Sequence, residues 1–155
     1  MRIGIDKICG IIILQALLCC STIKKGDFPT KFERQNLLSK TFIVRLPFPF
    51  YSQKDNYEEG VIYLYGFNDG AYIIIHEGAM VEFPMDKYEP AEVHKKMKKV
   101  IATGVYDGKL WRKDNYGDIR IYFSNVTIGN EDIYNKILDE IEIKPINENK
   151  VPNKH

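Results

Sequence analysis

The chain has 155 residues, of which 45% are hydrophobic and 28% charged, enough apolar material for the core of one ordinary domain and too little chain for two. The formal net charge is +1, and after residue 7 the balance is 20 basic against 20 acidic residues. No polybasic field is available to neutralise phosphates, which argues against nucleic acid as a partner. Cys9, Cys19 and Cys20 are the only cysteines. Everything from Ser21 onward therefore lacks a disulfide, a thiolate nucleophile and a cysteine metal ligand.

Residues 1–7 (MRIGIDK) carry positive charge on the amino terminus, Arg2 and Lys7, and residues 8–18 (ICGIIILQALL) are uncharged and mostly apolar. That is the layout of a secretory signal. A permanent span needs about 20 apolar residues, whereas Lys24 and Lys25 close this segment early. The run ends in Leu17, Leu18, Cys19, Cys20 and Ser21, which resembles the lipobox of bacterial lipoproteins. Cys20 as the modified residue puts Leu17 three positions before it and the small Cys19 directly before it. Cys19 is the alternative attachment site, with Ala16 and the bulky Leu18 in those places. The resemblance implies cleavage after residue 19 and a lipid-anchored cysteine, several acyl chains making a stable membrane anchor. An uncleaved signal anchor or a buried N-terminal helix is the rival reading. Residues 21–25 (STIKK) hold no acidic cluster of the kind that sends lipoproteins to the cell exterior in some gut bacteria, so a periplasm-facing anchor in the bacterial cell envelope is expected.

Residues 20–40 are polar and mixed and read as a tether, residues 41–143 as a single domain, and residues 144–155, with two prolines, as a disordered tail. Strands are expected over Thr41–Leu46, Val61–Tyr65, Ala71–His76, Val100–Tyr106, Lys109–Lys113 and Asp118–Val126, all rich in β-branched and aromatic residues. Asn68-Asp69-Gly70 and Asp107-Gly108 supply turn chemistry between them, and Tyr116-Gly117 does so less clearly. One helix is expected to start near Pro90 and to bury Val93, Met97, Val100 and Ile101. A second, capped by Asn130 with Glu131 and Asp132 in its first turn, buries Ile133, Ile137, Leu138 and Ile141. The expected fold class is α+β: an antiparallel sheet of about five to six strands carrying two amphipathic helices. This order, together with Phe42, Leu46, Pro47, Phe50 and Trp111, resembles the PsbP and Mog1 group, which implies an α/β/α sandwich and an accessory binding role rather than an enzymatic one.

No catalytic residue, metal site or cofactor is indicated. His94 lies among lysines and His155 ends the chain, and His76, followed by Glu77 at a strand end, lacks the companions of a zinc site or a triad. Ser39, Ser52 and Ser124 sit in no nucleophile elbow. Glu58-Glu59 and Glu82 with Asp86 are the available carboxylate pairs. Strand alternation puts Tyr63 and Tyr65 opposite Ile62 and Leu64, sets Tyr72, Ile74 and His76 against Ile73 and Ile75, and sets Arg120 and Tyr122 against Ile121 and Phe123. If these strands align, one sheet face is aliphatic and the other carries Tyr63, Tyr65, Tyr72, His76, Arg120 and Tyr122, a surface suited to a protein partner. The rival reading places these tyrosines beneath a helix or in cross-strand pairs. The expected function is a lipid-anchored envelope protein whose non-catalytic domain binds a macromolecule, as an accessory subunit or an immunity-type protein. An envelope enzyme acting on cell wall or glycan, and a small-ligand-binding lipoprotein, are the alternatives.

Overall fold

The structure is a computed structural model of the chain, and it describes residues 29–79 and 81–146. Among the described residues the strands are, in chain order, β1 (Thr30–Asn36), β2 (Lys40–Pro47), β3 (Phe50–Tyr57), β4 (Gly60–Phe67), β5 (Tyr72–Gly78), β6 (Glu92–Lys96), β7 (Lys99–Tyr106), β8 (Lys109–Asn115), β9 (Ile119–Val126) and β10 (Glu142–Pro145), with one α-helix, α1 (Glu131–Glu140), before the last. They build a three-stranded sheet, β1-β2-β10, and a seven-stranded sheet, β3-β4-β5-β9-β8-β7-β6. Every pairing is antiparallel. The small sheet and α1 together cover one face of the large sheet. Phe42, Val44 and Leu46 of β2 and Ile137 and Leu138 of α1 bury against Tyr63, Tyr65, Ile73, Ile75, Ile121 and Phe123.

This mostly-β, two-sheet architecture, with a single α-helix among the described residues, replaces the expected α+β sandwich with two amphipathic helices. The helix expected from Pro90 onward is the β6–β7 hairpin, closed by Met97 and Lys98 between the paired Lys96 and Lys99. Met97 has φ 50°, a left-handed conformation that no helix interior contains. Of the expected buried stripe, Val93, Met97 and Val100 are exposed and Ile101 is half-buried. What decides the conformation is β7, whose backbone pairs with β8 and whose Ala102 and Gly104 pack toward Trp111. Cross-strand burial outweighs a helical spacing whose apolar residues have nothing to pack on.

The folded part also takes in more chain than the expected residues 41–143. Thr30–Asn36, read as tether, pairs along its whole length with β2, and Glu142–Pro145 pairs with the other side of β2. Strand β3 (FYSQKDNY) has no apolar alternation and is exposed over most of its length, so backbone pairing with β4 alone defines it. The remaining strands, the second helix and the turns lie where expected. Asp107 and Gly108 have φ 50° and 70°, as a type I′ hairpin requires. Tyr134, Ile137 and Leu138 form the buried stripe of α1. Asn130 precedes that helix without the expected side-chain cap; its Nδ2 donates to Asp69 at 3.1 Å.

Candidate functional site

The register separates the six residues expected on one face. Tyr63 pairs with Ile75 and Tyr65 with Ile73, and these isoleucines pair in turn with Ile121 and Phe123. Directly opposed residues share a face, so Tyr63 and Tyr65 belong to the aliphatic core under the small sheet. Tyr63 is buried, its Oη donating to the carbonyl of Asn36 at 2.8 Å and its ring meeting Phe42 edge-on at 5.1 Å. Tyr65 is buried against Phe50, and among the described residues its Oη has no hydrogen-bond partner. Neither tyrosine can meet a partner.

Tyr72, His76, Arg120 and Tyr122 lie on the opposite face with Ile62, Leu64 and Ile74. Phe83, Met85 and the 3-10 turn Pro84–Lys87 cover its centre. His76 is fully buried. An Arg120 Nη2 donates to His76 Nδ1 at 3.1 Å and to the Val81 carbonyl at 2.9 Å. Nδ1 is therefore the acceptor and Nε2 carries the proton, donating to Tyr57 Oη at 2.5 Å. Tyr57 Oη in turn donates a hydrogen bond to the Ala79 carbonyl at 2.9 Å. This chain works only with a neutral imidazole. Burial, reinforced by the Arg120 guanidinium, brings the His76 pKa down to about 4.

Asp86 anchors the covering turn. Its carboxylate accepts from the Phe83 N–H at 2.9 Å, Lys113 Nζ at 3.0 Å and Tyr122 Oη at 3.1 Å, and Arg120 Nη1 stands 3.6 Å away. Burial raises its pKa, but the Phe83 N–H and Lys113 outweigh it and hold the carboxyl below its ordinary range. Asp86 thus serves as a carboxylate acceptor that fastens the turn to β8 and β9. Glu82 instead pairs with exposed Lys87 at 3.3 Å, and the two do not converge into a carboxylate pair. The sequence signal for the Asp86 lock was the Phe83-Pro84 entry followed three residues on by an acid, a pattern that caps a turn.

A second polar cluster ties α1 to the large sheet. Arg112 makes a two-pronged contact with fully buried Asp114, Nε to Oδ1 at 2.7 Å and Nη2 to Oδ2 at 2.9 Å. It also donates to Asp139 Oδ1 at 2.6 Å and Asn135 Oδ1 at 3.0 Å, both on the helix. Lys99 closes the cluster on Asp114 Oδ2 at 2.6 Å. Burial opposes charge on Lys99 and Arg112, yet the carboxylates prevail and raise both pKa values. Elsewhere Glu77 accepts from the backbone and hydroxyl of Ser39, fastening the β1–β2 turn, and Asp69 accepts from Tyr134 at 3.0 Å.

Among the described residues no three histidine, cysteine, aspartate or glutamate side chains converge as a metal-binding group. His94 is exposed and pairs with Glu92 at 3.0 Å. Cys19, Cys20 and His155 lie outside the described residues. The polar residues just described are thus committed to the fold, and the remaining candidates are surfaces. One is a groove of about 210 Å³ at the end where the chain enters the fold, lined by Pro47, Phe48, Pro49, Phe67, Ile133 and Tyr134. The other is the β6–β7 hairpin, where all five residues of β6 are exposed and Met97 at the tip is 89% exposed. No known family model, curated protein or solved structure matches this chain.

Proposed function

We propose that this chain is a lipid-anchored protein of the bacterial cell envelope, periplasm-facing, whose β domain is a non-catalytic module that binds a protein partner. The anchor rests on the Leu17 to Cys20 sequence. Partner binding rests on one arrangement of the fold. The Pro29 carbonyl accepts from the Phe48 N–H at 2.7 Å, so the chain enters beside the Pro47–Phe50 corner. Phe50 pairs with Phe67 at that end of the large sheet, and Tyr72, Ser124 and Tyr106 lie there too. The exposed Met97–Lys98 tip sits at the other end, beyond Val100, Asn115, Arg120 and His76. Eight strand residues separate the two ends, roughly 25 Å. A domain tethered at its entry end therefore presents the hairpin away from the bilayer, where an envelope protein can reach it.

Intact-mass spectrometry of membrane-fraction protein, with Cys20→Ser and Cys19→Ser variants alongside, tests the anchor. Loss of the first nineteen residues with an added lipid mass that vanishes only in Cys20→Ser is the expected result; a full-length unlipidated mass overturns the anchor. In-cell photo-crosslinking tests the module. A crosslinker at position 98 should give a discrete protein adduct and one at position 129 should not, whereas the reverse pattern would move binding to the entry end.

A further inference from the structure

Among the described residues, strand β6 ends the large sheet and pairs only with β7, leaving the other edge of its backbone open. Such an edge is a template for another strand. Residues 94–99 read HKKMKK, and their charges are differently committed. Lys99 points inward to Asp114 and Asp139, and His94 is matched by Glu92. Lys95 and Lys98 have no ion-pair partner among the described residues, and Lys96 is drawn toward Asp139 only at longer range. Val93 and Val100 are 58% and 43% exposed and share a face, since Val93 pairs with Ala102 and Val100 with Lys95. The edge thus combines unpaired backbone, uncompensated positive charge and an apolar strip.

We propose that β6 captures an extended, acidic segment of a partner protein by strand addition. A second copy of β6 laid parallel and in register, or antiparallel about Lys95, would set lysine against lysine, which cross-strand pairing disfavours, whereas the antiparallel register centred on His94 places Lys96 against Glu92; glutamate or aspartate opposite the lysines is favoured in any register. The lysines therefore favour an acidic chain over a second copy, whose strand carries the same net positive charge. Peptide is the ligand class because an open ladder edge needs amide and carbonyl partners at strand spacing, and a lipid headgroup layer has none. This inference rests on reading the domain as a partner-binding module, and it is independent of the lipid anchor.

The test uses the full-length protein and a fluorescein-labelled synthetic peptide of alternating glutamate and valine, followed by fluorescence anisotropy. The comparison ligands are a lysine–valine counterpart, an alternately N-methylated glutamate–valine peptide, and vesicles of equal parts phosphatidylglycerol and phosphatidylcholine. The acidic peptide should bind, and the Lys95→Glu, Lys98→Glu double variant should lose about tenfold in affinity with an unchanged far-UV circular dichroism spectrum. N-methylation should cost at least as much, because it blocks the ladder and leaves the charge. Equal binding of acidic and basic peptides, or no loss in the double variant, overturns the proposal. So does retention of the N-methylated peptide together with charge-dependent vesicle capture, which would identify a lipid-headgroup surface. The mass measurement separates the two readings: a lipidated protein that ignores the peptide sinks strand addition alone, and an unlipidated one that binds it sinks the anchor alone.

Discussion

Replacing Arg112 with alanine should be among the most damaging single changes this fold can suffer. The guanidinium is the junction of three side chains, holding Asp114 on its own strand and Asp139 and Asn135 on α1. Without it the fully buried Asp114 carboxylate retains, among the described residues, only Lys99, and the helix loses its main polar tie to β8. Removing one partner of a buried ion pair costs about 3–5 kcal/mol, a large part of the roughly 5–15 kcal/mol that holds a domain folded. The melting temperature should fall by roughly 10–20 °C, read by circular dichroism on the full-length protein. Arg112→Lys should fall between, since one ammonium cannot bridge Asp114 and Asp139 together. The double variant Arg112→Met, Asp114→Leu should recover much of the loss, because it removes both buried charges and leaves Lys99 to pair with Asp139. An Arg112→Ala protein within about 1 kcal/mol of wild type, or a double variant no better than it, would refute the cluster as a structural tie.

His76 makes stability depend on acidity. Its folded pKa of about 4 lies below the ordinary 6.5, so between those values the unfolded chain binds the proton first and stability falls as the pH falls. Above pH 6.5 both states are neutral and the contribution is constant. The wild-type advantage over His76→Gln in urea unfolding should therefore shrink by up to about 3 kcal/mol over that interval; a pH-independent difference would show that the imidazole titrates normally. Gly104→Ala puts a methyl group 2.8 Å from the Trp111 indole, an overpacking that should cost about 1–3 kcal/mol and alter the near-ultraviolet circular dichroism. Tyr134→Phe deletes the bond to Asp69 and should cost about 1 kcal/mol, while Tyr65→Phe removes a buried hydroxyl with no partner among the described residues and should be neutral or stabilising. Equal costs for the two tyrosine changes in denaturant titrations would contradict the bonding described.

Local chemistry made part of this protein legible without coordinates. Asp107-Gly108 had to be a tight hairpin because the two residues tolerate positive φ. The runs VIYLY and AYIIIH had to be strands because β-branched and aromatic side chains fit a pleated, half-buried surface, and the stripe through Ile137 and Leu138 had to be a helix face. What stayed hidden depended on neighbours distant in sequence. Thr30–Asn36 and Phe50–Tyr57 have no apolar period of their own and become strands because β2 and β4 offer open ladders. Residues 92–100 carry a helical spacing that fails because β7 is committed to β8.

The candidate site followed the same division. Alternation sorted the side chains of each strand correctly, placing Tyr63 with Tyr65 and His76 with Tyr72. It could not say which side of β4 matches which side of β5. A shift of one residue in register exchanges the two faces of a strand, and the observed register sends Tyr63 and Tyr65 into the core while His76, Arg120 and Tyr122 go beneath Phe83 and Asp86. The lysines of the β6–β7 hairpin were visible as charge from the start. Only the tertiary structure decided that they line an open sheet edge rather than the wet side of a helix, because an edge exists only where a sheet runs out of strands.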